Sequence, residues 1–131
     1  MDVRVRRVYE DPRPDDGARI LVDRLWPRGV SKIRARLDEW MKDIAPSSEL
    51  RTWYGHDPEK FDEFAERYRA ELDRPASVQS QSLEVLRAMA GAGRVTLLTA
   101  TRDAALSEAT VLAALLEPAG LSGTTPSTGA A

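Results

Sequence analysis

Apolar positions recur along this chain in two rhythms, and the change from one to the other divides it into elements. Val3 and Val5 alternate with Arg4 and Arg6, which predicts a short strand with valines on one face and arginines on the other. Glu10 to Gly17 holds two prolines and closes on Asp-Gly, the chemistry of a loop or turn. Ile20, Leu21 and Val22 are a continuous apolar run, as in a strand covered on both faces, and Pro27 and Gly29 break the pattern beyond it. Val95 to Ala100 is a second such run, rich in β-branched residues and suited to the interior of a sheet.

Between and after the strands the period lengthens to that of helices. Ser31 to Asp38 predicts a short basic helix capped by Ser31. Leu37, Trp40, Met41 and Ile44 keep helical spacing, but Pro46 limits any continuation, and an extended Glu39 to Ala45 fits as well. Ser47 or Ser48 caps a short helix through Trp53 that Gly55 ends. Asp57 and Pro58 form a cap and first-turn pair ahead of the stripe Phe61, Phe64, Ala65, Tyr68, Leu72. Pro75 breaks that helix. Leu83, Val85, Leu86, Met89 and Ala90 predict another, ended by Gly91-Ala92-Gly93. Ala104 to Glu117 predicts a closing helix with Asp103 as its N-cap. From Pro118 onward little can be buried, so residues 1–117 are expected to form one domain and 118–131 a disordered tail. The order of elements argues for an α/β fold, a compact layered single domain with a small, at least partly parallel sheet flanked by helices.

Composition narrows the chemistry. Lys and Arg number 19 against 21 Asp and Glu, a formal charge of -2, so no global basic field draws in nucleic acid or an acidic membrane. There is no cysteine and one histidine, His56, which leaves neither thiol chemistry nor the ligands of an ordinary zinc site; no metal or other cofactor is expected. The N-terminal segment lacks a signal peptide's apolar run, and no stretch approaches the roughly 20 apolar residues of a membrane span. A soluble, cytoplasmic protein is expected.

The candidate site begins where the second strand ends. Leu21 to Gly29 runs from a buried strand into Asp23, Arg24, Trp26 and Arg28, and the Val95 to Ala100 strand ends just before Arg102 and Asp103. Ligands in open α/β sheets sit beyond the carboxyl ends of the strands, so the two groups are expected to face one crevice. Arg24, Arg28 and Arg102 would offer planar forks to phosphate or carboxylate, with Asp23 and Asp103 orienting them or moving protons. Trp26 would stack on a base or an arginine. Lys42 and the helix start at Ser47 would add positive potential. The competing reading makes these Arg-Asp pairs internal bridges and Asp103 a helix cap. His56 is either a general base beside Asp57 or a loop residue, with Asp57 capping the helix and Trp53 and Tyr54 filling the core; the absence of a Ser or Cys nucleophile motif favours the second.

Four blocks in the same order carry a resemblance. Asp23-Arg24-Leu25-Trp26-Pro27-Arg28-Gly29, Trp40-x-Lys42-Asp43-x-Ala45-Pro46-Ser47, Leu50-Arg51-x-Trp53-Tyr54-Gly55-His56-Asp57-Pro58 and Ala100-x-Arg102-Asp103 resemble the signature blocks of the YeaO-like proteins, the domain of unknown function 488 family. The resemblance spans about residues 3 to 116 and implies a compact α/β domain of bacterial cytoplasmic type, with no implied activity, substrate or cofactor. One departure stands out: Leu106-Ser107, followed by Glu108, occupies the place of a His-Asn pair usual in that family. Thr99 also stands where a tyrosine is common.

Three functions fit these residues. A small anionic ligand would bind through Asp23, Arg24, Trp26, Arg28, Lys42, Ser47, His56, Arg102 and Asp103, with or without catalysis. A nucleic-acid module would use Arg4, Arg6, Arg7, Lys32, Arg34 and Arg36 as a basic patch. A noncatalytic protein-interaction domain would present its tryptophans to a partner.

Overall fold

The computed structural model describes residues 2–117, so the tail expected from Pro118 onward lies outside the described residues. Within them, four strands form one sheet: β1 (Val3–Arg7), β2 (Ala18–Leu21), β3 (Glu39–Trp40) and β4 (Val95–Thr99). Their spatial order is β1-β4-β2-β3, and every pairing is parallel. β4 lies between β1 and β2, and all five of its residues are buried, which accounts for its unbroken Val-Thr-Leu-Leu-Thr run.

Among the described residues five helices accompany the sheet: α1 (Lys32–Ala35), α2 (Ser48–Tyr54), α3 (Phe61–Asp73), α4 (Val78–Ala92) and α5 (Glu108–Leu116). Ile20, Val95 and Leu97 meet the apolar stripes of α2 to α5 in one core containing Tyr54, Phe64, Tyr68, Leu86 and Leu112. Alternation along the strands turns Leu21 and Leu98 to the opposite face, where Val8 joins them under Trp26, Leu37 and Trp40. The remainder of that second face is polar. Arg19 is only 5% exposed and Asp16 only 1%, and they pair at 2.6 Å. Arg6 reaches Asp16 from the neighbouring side at 3.1 Å.

Gly17, immediately before β2, has φ +67, and a Cβ there would lie 2.2 Å from the Arg94 carbonyl oxygen. Only glycine lets the loop pass so close to the turn that launches β4.

Several boundaries differ from the expectation. The basic helix is a single turn, because Arg19 takes the Ala35 and Arg36 carbonyls that another turn would need, and Arg36 swings to a left-handed φ of 49. Glu39 to Ala45 is neither a helix nor wholly extended: Glu39 and Trp40 pair with Ile20 and Leu21, and a 3-10 turn, Lys42–Ile44, comes next. The closing helix is split. Asp103 caps a 3-10 turn, Ala104–Leu106, and α5 starts only at Glu108. Val85, placed on the apolar stripe of α4, is 54% exposed.

Candidate functional site

Since all four strands run in one direction, their carboxyl ends share one rim, and a cavity of about 500 Å³ opens beside it. Its wall draws on the segment after β2, the residues after β4, α2 and the start of α5. Asp23 is held firmly there: its two oxygens accept the Thr99 hydroxyl at 2.8 Å and the Ala100 N–H at 2.7 Å. These bonds tie the end of β2 to the end of β4. The next residue, Arg24, donates to the Ala45 and Pro46 carbonyls at 3.2 and 3.3 Å, while its Nε is buried without a partner. Trp26 gives its indole N–H to the Val30 carbonyl and meets Trp40 edge to face with ring centroids 5.3 Å apart.

Helix α2 supplies the facing wall. Ser47 caps it, Gly55 ends it at a left-handed φ of 52, and Arg51 and Tyr54, three apart, share its cavity side. Tyr54 stacks on Phe64 at 4.2 Å and donates to the Leu106 carbonyl at 2.7 Å. His56, in the left-handed region at φ 57, is exposed on the cavity wall, while Asp57 caps the 3-10 turn that leads into α3.

Glu108, in the first turn of α5, closes the arrangement. Burial pushes its carboxyl well above the usual carboxylate range, and a hydrogen bond to Asp23 with that residue's negative charge pushes the same way. The guanidinium groups of Arg24, Arg28 and Arg51 line the same cavity as these two acids. Buried Tyr68 donates to the Ile44 carbonyl behind this wall, and burial raises its hydroxyl well above the ordinary tyrosine value.

Of the residues singled out from the sequence, Asp23, Arg24, Trp26, Arg28 and His56 line the cavity. Lys42 does not: it is exposed, with its ammonium 5.4 Å over the Trp40 ring. Ser47 is occupied as a cap, accepting from Leu50 N–H and donating to Glu71 at 2.5 Å. Arg102 and Asp103 are exposed outside the cavity wall, and Asp103 accepts from Ala105 N–H. Arg51 and Glu108 are site residues that the sequence pattern alone does not single out. Arg51 lies inside the third signature block at helical spacing from Tyr54, and Glu108 directly follows Leu106-Ser107, so both signals are present but point to no partner. In the N-terminal patch, Arg4 pairs with Asp15, Arg6 with Asp16 and Glu10, and Arg7 donates to the Thr101 carbonyl; Lys32, Arg34 and Arg36 are exposed. Among the described residues no cluster of three or more His, Asp or Glu is placed to hold a metal ion, and no helix is long and apolar enough to cross a membrane.

A parallel α/β domain with an acid and arginine cavity at its strand ends is the class that this geometry defines. The chain belongs to the DUF488 family, for a family model described as "Inactive DUF488-N3 subclade" matches residues 2–127. The chain is 56% identical over 114 residues to the uncharacterised protein Rv3073c of Mycobacterium tuberculosis strain H37Rv, covering 87% of this chain and 92% of that one. It is 40% identical over 113 residues to the uncharacterised protein YeaO of Escherichia coli K12, covering 86% and 95%. No solved structure matches the chain.

Proposed function

We propose that this protein binds a small phosphate- or carboxylate-bearing ligand in the strand-end cavity and does not transform it. The observation that carries this reading is the gathering of Arg24, Arg28 and Arg51 on one cavity, where burial pushes the Glu108 carboxyl above the usual carboxylate range and so weakens its charged form. Guanidinium forks match planar or tetrahedral oxyanions, and a partly enclosed site strengthens such charge-assisted bonds. Aromatic and proline side chains, among them Trp26, Tyr54, Pro27 and Pro46, give the wall enough apolar surface to hold more than a bare ion.

Two observations support binding over turnover. Leu106 and Ser107 line the cavity at the place of the family's usual His-Asn pair, and the Ser107 hydroxyl is already committed to the Ala104 carbonyl. The family model's own description, an inactive subclade, agrees with binding without turnover.

The reading is tested by a thermal-shift screen of nucleotides, sugar phosphates and small carboxylates on the unaltered protein, Arg51→Ala and Arg102→Ala. A ligand at a hundred times its Kd adds about 2.7 kcal/mol of stability. That stabilisation is expected to survive Arg102→Ala and to disappear in Arg51→Ala. Equal loss in both variants, or none in either, would remove the cavity from consideration.

A further inference from the structure

We infer that the ligand of this cavity is a phosphorylated sugar, whose phosphate meets the arginines at the mouth and whose hydroxyls meet Asp23 and Glu108 further in. The inference rests on the anion-binding reading above and assigns the other end of the ligand.

Polarity is divided across the cavity. Arg28 and Arg51 are exposed on its wall, whereas Asp23 and Glu108 are half-buried where the ends of β2, β4 and α5 converge. An anion is drawn to the exposed arginines, and an apolar tail would then lie against two carboxyl groups, which is unfavourable. A cationic tail would face Arg24, whose guanidinium belongs to the same wall as Asp23. Hydroxyl groups suit the inner end better, because each one both donates and accepts. Asp23 accepts, and burial favours the protonated, donating form of Glu108, so the two acids on this wall offer both complements. Asp23 has spent one acceptor direction of each oxygen on Thr99 and Ala100. Trp26, half-buried on the wall, adds an apolar aromatic surface for the C–H face of a sugar, while Tyr54, stacked on Phe64 at 4.2 Å, backs the wall from the core. A volume of about 500 Å³ exceeds what a phosphate ion needs and lies within the range of small-molecule sites.

Titration calorimetry with inorganic phosphate, pentyl phosphate, ribose 5-phosphate and adenosine monophosphate tests the assignment. Ribose 5-phosphate or adenosine monophosphate is expected to bind at least about tenfold more tightly than inorganic phosphate and pentyl phosphate, the scale of a hydrogen bond to a charged group. The tighter of the two tells whether the sugar phosphate is free or part of a nucleotide. Glu108→Ala should remove the tenfold advantage and leave the affinity for inorganic phosphate unchanged; the pentyl phosphate comparison gives the same answer on unaltered protein should that variant fold poorly. If every phosphate binds alike and Arg51→Ala weakens all of them, hydroxyl recognition is overturned and the anion pocket stands. Binding of none overturns both.

Discussion

Glu108, in the first turn of α5, and Asp23, just after β2, line one cavity, and burial followed by the neighbouring Asp23 carboxyl pushes the Glu108 carboxyl well above the usual carboxylate range. The fold thus brings an acid from late in the chain onto the same wall as one whose own position is fixed by Thr99 and Ala100 at the end of β4. Asp23→Asn should therefore lower the Glu108 pKa toward the ordinary carboxylate range, because the substitution removes the neighbouring charge and keeps the shape. Carboxyl carbon NMR titration of Glu108 in the two proteins measures it. An unchanged titration would assign the whole shift to burial.

Stability should fall on both sides of a maximum in mildly acidic solution. Glu108 is raised in the folded state, so the folded protein binds more protons than the unfolded chain above about pH 4.5, and stability declines as pH rises through that window. Asp16 behaves oppositely. Burial pushes its carboxyl up, but the Arg13 N–H and the guanidinium groups of Arg19 and Arg6 outweigh that and hold it below 3.8, so its contribution is lost as pH falls through the depressed value. Urea denaturation across this range should show the maximum, and Glu108→Gln should flatten only the alkaline limb.

Asp16→Ala leaves the buried Arg19 cation without its acid and takes one of two acids from Arg6. Removing one member of a buried ion pair costs about 3–5 kcal/mol. The same loss is expected in chemical denaturation here, with Asp15→Ala, at an exposed pair with Arg4, as the comparison that changes little.

Gly17→Ala should destabilise the protein by more than about 1 kcal/mol, since the new methyl meets backbone as well as a strained φ. Gly91→Ala is the control, for a Cβ there meets open space. Thermal unfolding of the pair separates the steric effect from the general consequence of replacing a glycine.

Much of the scaffold was legible because its signals are local. The run from Val95, the stripe from Phe61 to Leu72 and the Ser47 and Gly55 stops each arise from residues near one another in the chain. The misplaced boundaries share a different origin. Whether Ser31 to Asp38 makes one helical turn or two is decided by Arg19, which claims the carbonyls from another strand. The extended fate of Glu39 and Trp40 is set by pairing with Ile20 and Leu21. At the site, Asp23, Arg24, Trp26 and Arg28 were conspicuous because they cluster just after a strand, and they do line the cavity. Arg102 and Asp103 satisfied the same rule, yet the backbone turns after Thr101 and Asp103 caps the turn outside the cavity. Glu108 was hidden for the converse reason: as an acid in a helix's first turn it needs no explanation until Asp23 is seen beside it.

The indole of Trp26 lines the cavity and leans on Trp40, whereas Trp53 lies away from it beneath Lys60 and Arg67, at 5.1 and 4.3 Å. The protein thus carries an optical probe at the site and a second indole off the cavity wall. An occupant that shifts the Trp26 ring would change its fluorescence and the near-ultraviolet dichroism of the coupled pair, leaving the Trp53 component constant. Occupancy can be followed without any attached dye.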